Sequence, residues 1–411
     1  MRKQKNQSII HNRAFILLWL GQTVSRLGNL VYDVALGYTV YLITGSPLSV
    51  GTVLSCFTIA QLLTLVFGGA VVDRFSRKNI ILITDIIAGL VTMLLVVALM
   101  VEQLSIEMMY LISIVLGIVS AFHLPAYRAI IPEALHEHDI TAANGLISIT
   151  NSITRVIGPS IGAGLLTWLG AMGAFLFNAL SFWIAVVAMI FTPIRVTQTR
   201  RKHQEKKLLS DVMNGLRLAF QTPWLRDLFL ISSAINVLVL GPITILIPVI
   251  VGMEELSPAI IGGVMAMQGI GTVLSNSAIL RIPARKISMK FIFSLSISFG
   301  LGALLMGLSQ PLYLFVLGGF FVGLGACTFT LKQTLIQTRV SLDYLGRIFS
   351  LDMIASFVLL PLGYATASIL ADLWSPRLVI IVGGSIEIFL GGLFIFLEKG
   401  RVGYKKSLEL S

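Results

Sequence analysis

Asp33, Arg26 and Arg155 are the residues of this sequence best suited to chemistry, because each carries a charge inside a long apolar stretch. A charge in such a place is costly and usually faces protein or water rather than hydrocarbon. Gln22, Arg26, Asn29 and Asp33 recur at three-to-four spacing and so share one helical face. Arg26 and Asp33 stand two turns apart, about 10 Å along a helix axis, too far to pair with each other. Asn144, Ser148, Asn151 and Arg155 form a second stripe of the same kind, and Asp33 with Arg155 is a plausible cross-helix pair. A carboxylate that alternately meets and loses a guanidinium can take up and release a proton. Asp33 is therefore the predicted proton-coupling group, with Arg26 and Arg155 as tuning or substrate groups; structural ion pairing is the competing reading.

The elements that must hold these side chains are membrane helices. Of the 411 residues, 56% are hydrophobic and 12% charged, whereas soluble domains carry roughly 25% charged residues. Twelve apolar runs, the first at 14–43 and the last at 377–398, are each long enough to cross a bilayer. The predicted fold is an all-α membrane protein with 12 transmembrane helices in two pseudo-symmetric six-helix bundles, 1–194 and 224–398. Between them lies a cytoplasmic linker, 195–223, in which Leu208, Leu209, Val212, Met213, Leu216 and Phe220 describe an amphipathic interfacial helix; residues 399–411 form a cytoplasmic tail.

The charge distribution gives the orientation. With the N-terminus placed inside, 26 of the 30 Lys and Arg residues, Lys332 in the expected loop 332–347 among them, fall in cytoplasmic segments, the bias expected of an inner-membrane protein with both termini in the cytoplasm. The net charge of +11 is thereby accounted for by topology, and no nucleic-acid partner is expected. The first apolar run is far longer than a signal-peptide core and is expected to remain as a helix. Cys56 and Cys327 both lie in apolar runs, so neither a disulfide framework nor a metal site is expected. The sequence also lacks a phosphate-binding G-x-x-x-x-G-K-[ST] loop and an H-E-x-x-H pair, which argues against nucleotide-driven pumping and membrane metalloprotease activity; no enzyme activity and no cofactor are expected.

Between the second and third runs stands Gly69-Ala-Val-Val-Asp73-Arg74-Phe75-Ser76-Arg77-Lys78. It resembles the loop signature of the major facilitator superfamily, G-x-x-x-D-R-x-G-R-K, with Ser76 in place of the usual Gly. A degenerate echo, Ser277-Ala-Ile-Leu-Arg281-Ile-Pro-Ala-Arg285-Lys286, occupies the matching place in the second half and makes the halves look like duplicated units. Gly69 lets its helix approach a neighbour closely, and Asp73 can meet the positive end of a helix. Arg74, Arg77 and Lys78 can pair with acids such as Glu133 or Asp352. The resemblance implies that this set is a cytoplasmic gate; the alternative is that the basic residues only set topology.

The fifth run carries Arg155-Val-Ile-Gly158-Pro159-Ser-Ile-Gly162-Ala-Gly164, which resembles the Gly-Pro motif of exporters in the superfamily, with Thr154 where the full motif has Gly. Pro159 removes a backbone hydrogen bond, while Gly158 and Gly162 permit close packing, so a helix able to bend is expected. Together with Asn12 to Gln22, Thr44-Gly-Ser-Pro47, and the stretch from Pro125 through Asn144-Gly145, the pattern resembles the macrolide-efflux and enterobactin-exporter branch over nearly the whole chain. That resemblance implies a secondary transporter, acting as a monomer, that exports an amphiphilic small molecule in exchange for protons, with membrane lipid as its surroundings. Import of a nutrient or lipid, and a non-transporting sensor or assembly partner, are the alternatives. Carried over from the family, the substrate cavity would include Gln22, Asn29, His123, Asn236, Gln268 and Thr328.

Overall fold

The computed structural model describes residues 12–135, 139–193, 222–279, 282, 287–308, 312–340, 348, 351–352 and 358–400, and for 66–74, 141 and 399–400 the backbone alone. The linker helix, the echo residues Arg281, Arg285 and Lys286, and the tail beyond Gly400 lie outside the described residues.

Ten helical segments among the described residues are long and apolar enough to cross a membrane. Within hydrocarbon every backbone N–H and C=O must be satisfied inside its own segment, and the helix does this without a neighbour. The first half comprises α1 (Arg13–Thr44), α2 (Pro47–Arg74), α3 (Arg77–Met100), α4 (Ile106–Ala134) and α5 (Ile140–Ile190). Asn12 caps α1, its side chain accepting the Phe15 amide at 3.1 Å, and Gly45 closes it in the left-handed conformation. At 51 residues, α5 is far longer than one crossing needs; its backbone leaves helical geometry at Gly170, where φ is 67° and ψ −173°. Only glycine adopts that combination cheaply, so Gly170 divides α5 into two limbs. Pro159 keeps helical dihedrals, and Gly170 falls between the fifth and sixth expected apolar runs, so the two limbs correspond to those two runs.

The second half comprises α6 (Pro223–Ile235), a π turn (Asn236–Leu240), α7 (Gly241–Met253), α8 (Ala259–Ile279), α9 (Met289–Leu308), α10 (Leu312–Gly325), α11 (Cys327–Arg339), α12 (Leu360–Leu373) and α13 (Pro376–Gly400). The segments Pro223–Met253 and Leu312–Arg339 each serve as one span. The eleventh expected run, 346–371, falls partly outside the described residues, and α12 within it is a shorter apolar helix.

The chain separates into two compact units, one of Met1–Gly45, Thr52–His203 and Ser257–Gly262, the other of Ser46–Gly51, Gln204–Leu256 and Gly263–Ser411. In the first, Leu18, Ile80, Ile81, Ala126, Ile130 and Met189 join α1, α3, α4 and the second limb of α5 in one apolar cluster. In the second, Leu225, Ile336, Val340, Ile348 and Leu351 gather around the start of α6 and the end of α11.

Lys332 departs from the sequence reading, which counted it with a cytoplasmic loop. It lies inside α11 and is 2% exposed. The apolar run breaks there, but Thr328 to Arg339 contains no Gly or Pro, so the helix continues and brings the lysine inward.

Candidate functional site

In the first unit, the packing of α1 on α5 sets everything else. A Cβ added to Gly158 would lie 2.8 Å from Leu30 Cβ, and one added to Gly162 would lie 3.0 Å from Val31 Cα. Both glycines therefore act through what they lack, and the two helices touch along that seam. One further contact fixes the register, Trp19 Nε1 donating to Thr150 Oγ1 at 3.2 Å. With Trp19 level with Thr150, and Leu27 and Leu30 against Gly158, Arg26 and Arg155 come to the same height.

Their exposure shows what they face. Between Gly21 and Val40 the only exposed residues of α1 are Asn29 and Asp33. This stretch has no lipid-facing apolar stripe; protein covers it everywhere except on one polar face. On α5, exposed Ile149, Ile153 and Ile157 repeat every four residues, as a lipid-facing stripe does. Arg155 is two residues from both Ile153 and Ile157, roughly 200° around the helix, and it too is exposed. Arg155 is therefore accessible on a face of α5 that the apolar stripe does not share. Arg26 is half-buried beside it, within electrostatic reach of both Arg155 and the Tyr127 hydroxyl of α4.

The pair of Asp33 with Arg155 considered from the sequence is not formed. Among the described residues neither side chain has an ion pair or hydrogen bond, and Asp33 is exposed rather than buried. Register is the reason: Arg155 sits level with Arg26, and Asp33 lies two turns further along α1.

One turn in the other direction, a closed network crosses three helices. Gln22 Nε2 donates to Asp85 Oδ2 of α3 at 2.8 Å, while Gln22 Oε1 lies 3.0 Å from His123 Nε2 of α4. His123 Nδ1 is 3.0 Å from Thr84 Oγ1 and 3.4 Å from Asp85 Oδ1, and its ring stacks on Tyr127. Gln22 accepts at its carbonyl from His123 Nε2–H, while the Thr84 hydroxyl donates to the Ile80 carbonyl at 2.8 Å, so that His123 Nδ1 faces the oxygens of Thr84 and Asp85. Gln22 and Asp85 are buried. The sequence places Gln22 and His123 in a cavity; the structure adds Asp85 and brings all three together. Asp85 was separable as a partner only once the rotation of α3 was known.

At the ends of α3 and α4, Arg77 Nη1 meets Glu133 Oε1 at 3.2 Å. Lys78 Nζ donates to the carbonyls of Thr192 at 2.7 Å and Ile190 at 3.2 Å. Both contacts tie elements of the first unit to one another. The side chains of Asp73 and Arg74 lie outside the described residues, and Gly69 is within the helical backbone of α2.

The second unit handles its charges differently. Lys332 Nζ donates to Asp352 Oδ1 at 2.6 Å and sits 5.3 Å from the centroid of the Phe329 ring. Asp352, a gate candidate from the sequence, is thus engaged by a lysine of its own unit. Asn236 is buried and donates to the Ser232 carbonyl at 3.0 Å, at the point where the helix widens into the π turn. Thr328 is fully buried with no partner for its hydroxyl among the described residues, and Gln268 is half-buried, its carbonyl closely approached by Gly323. These three cavity candidates do not converge on a common exposed face. Glu387 of α13 is 0% exposed, held between α13 and α9 where Gly384 and Gly391 let the helices close up. Neither carboxylate oxygen has a well-formed hydrogen bond, the neighbouring Ser296 hydroxyl donating instead to the Phe293 carbonyl.

A family model of transmembrane secretion effectors, within the major facilitator superfamily, matches residues 6–402. The chain belongs to that family. It is 26% identical over 380 residues to macrolide efflux protein A of Streptococcus pyogenes, covering 87% of this chain and 89% of that protein. It is 24% identical over 340 residues to the enterobactin exporter EntS of Escherichia coli, covering 82% and 80%. Among solved structures it resembles the nucleoside transporter NupG, with a TM-score of 0.75 at 16% identity over 94% of this chain and 99% of that one. At that identity the likeness establishes the fold alone. The family's members are membrane transporters rather than enzymes, and this multi-pass chain is a transporter of small molecules with relatives among efflux proteins.

Proposed function

We propose that this chain exports an amphiphilic small molecule across the bacterial inner membrane by proton antiport, its two halves alternating access and both termini in the cytoplasm. The observation that carries the reading is Asp33. Among the described residues it is a carboxylate without an ion pair or hydrogen bond, on the polar face that holds the exposed positions of the stretch Gly21–Val40. A carboxylate maintained there against its solvation cost is suited to exchanging a proton with an aqueous path. The efflux activities named for the relatives support the outward direction. Arg77 with Glu133 and Lys78 with the α5 carbonyls act in this proposal as the gate clasp on the first unit, opening as that end separates. Glu133 is the acid of this clasp, whereas Asp352 is paired with Lys332 inside the second unit.

Everted vesicles from a pump-deficient host test the proposal. A panel of fluorescent macrolide, siderophore and dye compounds is presented with an imposed pH gradient. Gradient-dependent uptake that Asp33→Asn abolishes, with counterflow exchange preserved, is the expected result. Uptake indifferent to the gradient, or full coupling in Asp33→Asn, overturns the mechanism.

A further inference from the structure

Two guanidiniums at one height on one accessible face, with no acid between them, require a reason. Arg26 and Arg155 flank the α1–α5 seam where Leu27 and Leu30 meet Gly158, and Arg155 points away from the lipid stripe of its helix. Among the described residues neither makes an ion pair or hydrogen bond. The acids that might have neutralised them are elsewhere. Glu133 is held by Arg77, Asp85 is occupied by Gln22 and His123, and Asp33 is two turns along α1. The Tyr127 hydroxyl, within electrostatic reach of Arg26, can also donate a hydrogen bond. Like charges at this spacing repel, so the arrangement is at its most favourable when an anion sits between them. Guanidinium is the side chain whose planar fork matches carboxylate or phosphate oxygens.

We propose that Arg26 and Arg155 form the anion-recognising end of the substrate site, so that the exported molecule is an amphiphile bearing a carboxylate or similar anionic group. The inference rests on the export reading and names its substrate class. It separates the two roles: Arg26 and Arg155 hold the substrate's head, and Asp33 carries the proton. A cationic amine would meet two positive charges before reaching Asp33 and is excluded as the preferred cargo. The same chemistry would fit an anionic lipid headgroup, and the experiment separates the two.

The purified full-length chain in phosphatidylcholine nanodiscs is titrated with 11-(dansylamino)undecanoate and with its neutral methyl ester, each corrected against empty nanodiscs. The acid is expected to bind about tenfold or more tightly than the ester, the scale of charge-assisted hydrogen bonds. Arg26→Gln and Arg155→Gln each remove most of that preference, Arg→Lys restores part of it, and ester binding is the same in every variant, which reports intact folding. Equal binding of acid and ester by the wild type, or a preference that survives in the Arg26→Gln/Arg155→Gln double variant, overturns the proposal. So does loss of acid binding when phosphatidylglycerol replaces a fifth of the lipid, since the headgroup would then be the occupant. No gradient is present in this assay. A failed preference beside proton-driven export of a neutral drug sinks the anion site alone, whereas an intact preference without export sinks the export reading alone.

Discussion

The α1–α5 seam of the first unit and the α11 region of the second both hold charges at membrane depth, and they treat them in opposite ways. Lys332 and Asp352 are sealed against each other at 2.6 Å. Arg26, Asp33 and Arg155 are left without ionic partners on an accessible face. Burial with a partner is a structural solution, since the Coulomb attraction offsets the lost hydration only while both charges remain. Exposure without a partner is a functional one, because water or a ligand can do what no side chain does. The contrast predicts that removing one member of the sealed Lys332–Asp352 pair will damage folding, whereas removing Arg26, Asp33 or Arg155 will damage transport.

The sharpest break of that comparison is Lys332→Met. It leaves Asp352 buried and alone and should cost about 3–5 kcal/mol, read by unfolding in mixed micelles, with Asp352→Leu added on top recovering most of the loss. Next is Gly158→Val, which forces side-chain atoms against Leu30. An overpacking cost of about 1–3 kcal/mol is expected, and because the seam sets the height of Arg155 against Arg26, acid-probe binding should weaken in parallel. Glu387 tests whether an unpartnered charge is always functional. Its carboxylate is wholly buried, so Glu387→Leu should stabilise the chain by about 1–3 kcal/mol, the desolvation penalty of an unsatisfied group, and leave transport rates unchanged. The smallest effect on stability belongs to Asp33→Asn, within about 0.5 kcal/mol as for other exposed sites, although gradient-driven uptake should vanish. If Asp33→Asn unfolded the protein as Lys332→Met is expected to, the two regions would not differ in kind.

Much of this was legible in the residues. The apolar runs, the polar stripe through Gln22, Arg26, Asn29 and Asp33, and the glycines Gly158 and Gly162 each read directly as span, face and packing surface, since helical periodicity is a local property. The reading faltered where partners were concerned. Nothing in the sequence joins Asp85 to His123, yet 38 positions apart they meet at 3.4 Å. Lys332 was counted with a loop because an apolar run ends at it, and no windowed reading sees that Asp352 waits twenty residues on.

Composition and period alone determined that this chain is a helical membrane protein and which face of each helix is polar, because in hydrocarbon a segment must satisfy its own backbone and its side chains must sort by face. Which charge meets which was decided only in three dimensions. Gly158 and Gly162 set the axial register of α5 on α1, and that register places Arg155 beside Arg26 rather than Asp33. A shift of two turns, which no single-helix pattern encodes, separates an ion pair from a pair of like charges open to a ligand.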